Sequence, residues 1–363
     1  MGGIVLCLTG DVMTGRGVDQ VLPSPGDPRL WERYVDDART YVELAKAESG
    51  TFPTPVDLTW PWGDALPLMH EADLRVINLE TSITTSDDAM PGKAVHYRMH
   101  PGNIGCLTAA RPDACALANN HVLDLGGRGL EETLDVLDDA GLATGGAGRD
   151  AEEAWRPREL EAGDRRLLLW SVGASDSGVP SSWAAGPDRP GVAYVGDLSP
   201  ADAKELQQRV RRTKRPGDIA IVSIHWGSNW GYAVPRAHTR FAHWLIDSGV
   251  DVVHGHSSHH PRPVEVYKDR LVLYGCGDLV NDYEGITGDE QFRPDLRLLY
   301  FVHLDGDGRL EKLRMVPLQA RQMRLWRAYG PDGRWLRRTL HRASRPFWTR
   351  FDVNPDGSIV LPA

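Results

Sequence analysis

One recurrence restricts this chain more than anything else in it. Short apolar runs, rich in branched residues, end one after another on a polar residue. "IVLCLT" (4–9) runs into Gly10-Asp11, "LRVIN" (74–78) into Glu80, and "ACALA" (114–118) into Asn119-Asn120-His121. "IAIVSI" (219–224) runs into His225 and "VDVV" (250–253) into His254-Gly255-His256, while "RLLLWSV" (166–172) is a further run of the same kind. Runs this short suit buried strands better than helices. Longer stretches lie between them. Residues 127–141 place Leu130, Leu134, Leu137 and Ala140 on one helical face, and 201–213 and 236–248 carry similar stripes, the last with Phe241, Leu245 and Ile246. Strands alternating with helices predict an α/β fold. After residue 260, "PVEVYKDRLVLYGCGD" and "LRLLYFVHLDGDGRLEKLRMVPL" read as hairpins, the second turning at Asp305-Gly306-Asp307-Gly308. Antiparallel pairs are therefore expected in the second half.

Sites in open α/β sheets form beyond the carboxyl ends of strands. The polar residues of the recurrence should therefore converge, together with Asn78 and with Asp278, which follows "LVLYGCG". Four of the chain's 13 histidines, His254, His256, His259 and His260, fall in one short segment. Carboxylate, amide oxygen and imidazole together suit a borderline or hard divalent cation such as zinc, manganese or iron. No cysteine stands among the polar residues at the strand ends, which points away from a closed structural zinc site. A centre with open positions can bind substrate or activate water.

Composition narrows the partners. A formal charge of −9 and a pI near 5.8 disfavour a protein that tracks nucleic acid. The charge is uneven: Arg321 to Arg350 holds nine arginines and one acid, Asp332, with Trp326, Trp335 and Trp348 among them. That segment could face an anionic or peptide partner. Cys7, Cys106, Cys115 and Cys276 form no C-x-x-C pair and read as buried thiols of a reducing compartment. No run approaches the roughly 18 apolar residues of a membrane span, and "IVLCLT" is too short for a signal-peptide core. A cytoplasmic protein with no membrane partner is expected. Residues 21–65, which include "WPWGDAL", read as a cap over the site. Residues 321–363 read as an extension packed on one domain that spans 1–320.

Taken together, "GDVMTGRG", "INLETS", "ALANNHVLDLG", "SIHWG", "VVHGHSSHHPRPVEVY" and "LYGCGDLVNDYEG" resemble the CapA-like family of poly-γ-glutamate capsule synthesis, within the calcineurin-like metallophosphoesterase superfamily. The resemblance implies a four-layer α/β/β/α sandwich of two mixed sheets with outer helices, and one or two divalent ions at the strand ends. It implies Asp11, Glu80, Asn120, His225, His254 and His256 as metal ligands, with Glu80 in the bridging position and His121 as acid/base. A different register would close the set with His256 and His259. The chain departs from the phosphoesterase pattern at two points. Met13 stands where Asp-x-His supplies an imidazole, so the first metal position is expected to lack one, and Glu80 replaces an aspartate.

Those departures, and relatives of the family that resemble lasso-peptide epimerases, make L-to-D epimerisation at a peptide Cα the leading expectation. Asp11, His121 and His225 would carry protons, with Asp124 and Asp295 as more distant candidates, and Arg16, Lys93 and Arg98 would hold substrate carboxylates. Metal-dependent hydrolysis of a phosphoester or amide is one alternative. The other is an accessory role in poly-γ-glutamate-type polymer synthesis. The residues leave the oligomeric state open.

Overall fold

The computed structural model describes residues 3–362. Its principal elements run, in chain order, β1 (Ile4–Val12), α1 (Arg16–Val21), α2 (Arg39–Ser49), β2 (Leu74–Leu79), β3 (Ala114–Ala116), α3 (Gly126–Asp139), β4 (Thr144–Gly145) and β5 (Arg165–Ala174). Then come α4 (Pro200–Thr213), β6 (Ile219–His225), α5 (Arg236–Asp247), β7 (Val252–His256), β8 (Val264–Tyr267), β9 (Arg270–Leu273) and β10 (Asp278–Val280). The chain closes with β11 (Leu296–Leu304), β12 (Leu310–Arg321), α6 (Pro331–Ala343) and β13 (Ile359–Pro362).

The strands form two large sheets. The first has the order β13-β12-β11-β1-β2-β3-β4, with β10 also paired to β1. The second has the order β5-β6-β7-β9-β8. Neighbours from β1 through β4 and from β5 through β7 run parallel, whereas β8–β9 and β11–β12 are antiparallel hairpins. Lys268 and Asp269 turn the first hairpin with φ of 51° and 61°, and Gly308 turns the second at φ 75°. Positive φ at the turn matches the twist of paired strands. Both hairpins fall where the sequence places them.

Period-two alternation makes the sheets two-faced. In β1, Ile4, Leu6 and Leu8 enter the core between the sheets, while Cys7 and Val12 enter the core under the helices. In β6, Ile219 and Ile221 face the other sheet, and Ala220, Val222 and Ile224 face α4 and α5. Leu130, Leu134 and Leu137 of α3 cover the first sheet from outside. The result is the four-layer α/β/β/α sandwich.

Leu30, Tyr41, Val42, Phe52 and Trp62, from residues 21–65, enter the same helix-side core, and Trp62 Nε1 donates to Cys106 O at 2.8 Å. Glu48 and Ser49 of α2 wall a cavity of about 500 Å³ with Asn281 and Tyr283. The chain beyond Arg321 extends the first sheet through Arg324–Arg327, Asp352–Val353 and β13. Leu336 and Leu340 of α6 help fill the inter-sheet core. All four cysteines are buried and free. Burial pushes the Cys7, Cys106 and Cys115 thiols up to about 12, which leaves them unreactive at neutral pH. Among the described residues, no helix is long and apolar enough to cross a membrane.

Gly10 has a specific use. A Cβ there would lie 1.6 Å from the Gly277 carbonyl oxygen, because β10 closes tightly on β1 just before Asp11 and Asp278. Gly10→Ala must therefore push these strands apart. The expected cost is on the order of 3 kcal/mol or more, read as a lowered urea midpoint.

Candidate metal centre

Strand register brings the polar residues together. Asp11 pairs with Asn78 of β2 on one side and with Asp278 of β10 on the other. In the second sheet His225 pairs with His256. Two buried donor groups result, Asp11 with His225 and His256, and Asp11 with His259 and Asp278. Within each group the candidate ligand atoms all lie within 4.8 Å of one another. Asp11 is common to both. Glu80, expected in the bridging position, belongs to neither group. Asn78 Nδ2 fixes both acids, donating to Asp11 Oδ1 at 2.7 Å and to Glu80 Oε2 at 3.0 Å. Glu80 Oε1 faces the same space, 3.8 Å from His225 Nε2 and 3.9 Å from His121 Nε2.

Near Met13, where the sequence predicts a missing imidazole, the structure brings in His259. Met13 is fully buried with Sδ 3.8 Å from the Tyr283 hydroxyl, so it is packing. His259 comes from the loop after β7. There Ser257 turns the chain at φ 100° and its N–H donates to Asp11 Oδ2 at 3.3 Å. His259 returns to the centre with Nδ1 2.9 Å from Asp278 Oδ1. His260 turns away, accepting from Gly231 N at 3.0 Å and stacking on Phe292.

His254 does not face the centre. Its Nε2 lies 2.7 Å from Thr9 O and its Nδ1 3.1 Å from Ser223 Oγ. A carbonyl only accepts, so Nε2 carries the proton and Nδ1 accepts from the Ser223 hydroxyl. Ser223 Oγ, 2.9 Å from His256 Nε2, must then accept from that nitrogen. The chain of bonds leaves His256 Nδ1 with a free lone pair, 2.9 Å from His225 Nδ1. His254 thus orients a ligand, as outer groups around metal sites do. His256 and His259, the other register open to the sequence, each stand in a candidate donor group with Asp11, and His254 stands in neither.

Asn120 Oδ1 meets His225 on its other nitrogen, 3.1 Å from Nε2. Asn119 shapes that turn: its Oδ1 accepts from His121 N and Val122 N at 3.1 Å each. His121 Nδ1 is 2.7 Å from Asp124 Oδ2, which leaves Nε2 facing the centre. Burial, together with Lys93, drops His121 to about 4, so the imidazole is neutral and able to accept a proton.

Lys93, Arg16 and Arg98, expected to hold substrate, are engaged by the protein. Lys93 donates to Asp124 and to Asn120 O. Arg16 pairs with Asp282 at 2.5 Å and Glu32 at 2.7 Å and lies over Tyr41. Arg98 donates to the Ser86 and Asp27 carbonyls. Releasing Arg16 or Lys93 would leave the buried carboxylate of Asp282 or Asp124 unpaired, whereas Arg98 is only part-buried and its bond to the Asp27 carbonyl is exposed. Asp295 is paired with Arg293 at 2.8 Å on the wall of the cavity beside Asn281.

The donor set fits divalent cations. Burial and then the neighbouring Asp278 raise Asp11 to about 7. Burial, Asp11 and Asp278 push Glu80 well up. Burial acts on Asp278 too, but His259, Arg297 and Asn281 together outweigh it and hold that acid down. Converging carboxylates with neutral imidazoles are what a cation relieves, and ligands about 2.0–2.1 Å from one ion sit roughly 3 Å apart, as His225 and His256 do. The residues do not select among zinc, manganese and iron.

A family model described as bacterial capsule synthesis protein PGA_cap matches residues 5–283. The chain belongs to the PGA_cap family. Every donor of the centre lies inside that match. A PGA_cap relative, the probable polyglutamine synthesis accessory protein of Mycobacterium tuberculosis, is 52% identical over 99% of this chain and 96% of its own. The PGA biosynthesis protein CapA of Bacillus subtilis is 24% identical over 83% of this chain and 68% of its own. A 5'-nucleotidase precursor from Thermus thermophilus superimposes with a TM-score of 0.47 at 14% identity, over 95% of this chain and 59% of that one.

Proposed function

We propose that this protein is an accessory factor of poly-amino-acid polymer synthesis, and that it acts on a glutamyl-type peptide or amide at a cation-dependent centre built on Asp11. The observation that carries this reading is 52% identity, along nearly the whole chain, to a protein named for polyglutamine synthesis. The converging donors support a chemical role over a passive one. Divalent cations held by Asp11, Asp278, His225, His256 and His259 would supply Lewis-acid polarisation of a carbonyl or phosphoryl oxygen. The chain's own residues do the rest. His121, its Nδ1 proton pinned by Asp124, offers Nε2 as a base toward the space beside Glu80. The Ser223–His254 chain keeps His256 in the ligating tautomer.

Epimerisation at a peptide Cα is the second reading. It is favoured by His121 and Asp11, two proton carriers on one buried space, but the named relatives give it no support. Deleting the gene from its host is expected to remove the polymer, measured by amino-acid analysis of hydrolysed envelope. The wild-type gene should restore it and His121→Ala should not. Unchanged polymer after deletion would sink the accessory reading. Deuterium uptake from solvent at the Cα of a glutamyl peptide would transfer the assignment to epimerisation.

A further inference from the structure

The solvent face of α6 carries a cationic ridge that neither the centre nor the packing uses. Arg334, Arg338, Arg342 and Arg345 follow one another at four-, four- and three-residue steps, and all four are exposed. That spacing stacks Arg334, Arg338 and Arg342 along one stripe of α6 about 12 Å long, and Arg345 follows in the short turn beyond its end. Among the described residues, no carboxylate lies within 4.0 Å of any of them or of Arg350. Like charges at i,i+4 destabilise a helix rather than support it. A protein with net charge −9 has acids available to pair them, and none is placed there.

The ridge ends on a second unusual feature. Trp348 is 92% exposed and stands in a left-handed turn at φ 59°, a conformation that costs a non-glycine residue. Its neighbour Phe347 stacks on Tyr274 at 5.0 Å, which ties the turn to the second sheet. The indole is therefore presented from a fixed base. His341, Arg342, Arg345, Trp348 and Arg350 line a cavity of about 690 Å³ at this end.

We propose that this ridge and cavity dock a linear polycarboxylate chain of the polyglutamate type. The inference rests on the polymer-synthesis reading above and extends it to a surface remote in sequence from the centre. Guanidinium groups bind carboxylates in bidentate fashion, and a row of them matches repeated carboxylates along an extended chain. Trp348 supplies a flat apolar face for the methylenes between them. A bilayer suits the ridge less well, because among the described residues α6 itself exposes no large hydrophobic side chain, and Phe347 points inward beside Trp348.

The test uses the full chain, poly-γ-glutamate as the polycarboxylate probe, and polyglutamine and phosphatidylglycerol vesicles as comparators. The wild type should bind polyglutamate in a salt-sensitive manner and polyglutamine at least tenfold more weakly. Arg338→Glu combined with Arg345→Glu should weaken polyglutamate binding at least tenfold. Trp348→Ala should weaken it several-fold. Arg338→Glu alone places an acid between Arg334 and Arg342, so its melting temperature should equal or exceed that of the wild type, which separates lost binding from lost fold. Equal affinity in wild type and double variant overturns the ridge and leaves the accessory reading standing. Failure of the wild type to bind polyglutamate, or tighter binding to the vesicles, also overturns the ridge; the accessory reading is decided separately by the gene deletion.

Discussion

Asp11→Asn is expected to empty the centre of cations and, at the same time, to make the cation-free protein more stable. The first effect follows from geometry. Asp11 belongs to both donor groups, so one substitution weakens both sites. Losing an outer partner of a metal ligand already costs about 10–100-fold in affinity, so losing the shared ligand should exceed about 100-fold at each position. Metal analysis after dialysis measures it directly. The second effect follows from electrostatics. Burial and Asp278 hold Asp11 near 7, far above the ordinary carboxylate value. An amide carries no charge to desolvate, and its oxygen can still accept from Asn78 Nδ2. Above about pH 7 the chelated variant should therefore melt higher than the chelated wild type, by a few kcal/mol of stability. A variant that keeps full metal content would remove Asp11 from the centre. A chelated variant that melts lower would show that the carboxylates do not repel one another there.

The chelated wild type should be most stable between about pH 6 and 7 and lose stability on both sides. The sign differs for the two kinds of buried group. Burial holds His121, His254 and His260 down to about 4 and His225 and His256 well below their ordinary value. The unfolded chain protonates these imidazoles near 6.5, so between about pH 6.5 and 4 it binds more protons and stability falls with acid. Asp11, Glu80 and His259 are shifted upward, so the folded state keeps protons that the unfolded state has released. The Asp11 contribution is fully present below about pH 4 and is lost as pH rises to about 7, and those of Glu80 and His259 are lost as pH rises above their ordinary values. A bound cation replaces the protons on Asp11 and Glu80, so adding zinc or manganese should flatten the alkaline side most. Melting temperature against pH, with chelator and with metal, reads both limbs. A chelated protein that is steadily more stable up to about pH 9 would contradict the crowding of carboxylates.

The strands were legible because their signal is local. A run such as "IAIVSI" has the length and branching of a buried strand, and alternate residues sort to opposite faces without reference to the rest of the chain. Asp11, His121, His225 and His256 stand at strand ends or on the turns that follow for the same reason. The hairpin at Asp305-Gly308 needed only its turn residues.

What the sequence determined by itself was thus the layered α/β architecture and the set of residues carried to one edge of the sheets. The tertiary structure alone decided which of them converge. His254 looks like a ligand until it meets Thr9 O, 245 positions away, and His259 joins the donor groups only beside Asp278. Arg16, Lys93 and Arg98 look free until Asp282, Asp124 and distant carbonyls are in place. Which strands adjoin is settled by the whole core, whereas the aim of a ring nitrogen or a guanidinium depends on a single partner that the fold brings from elsewhere, and no local pattern encodes that.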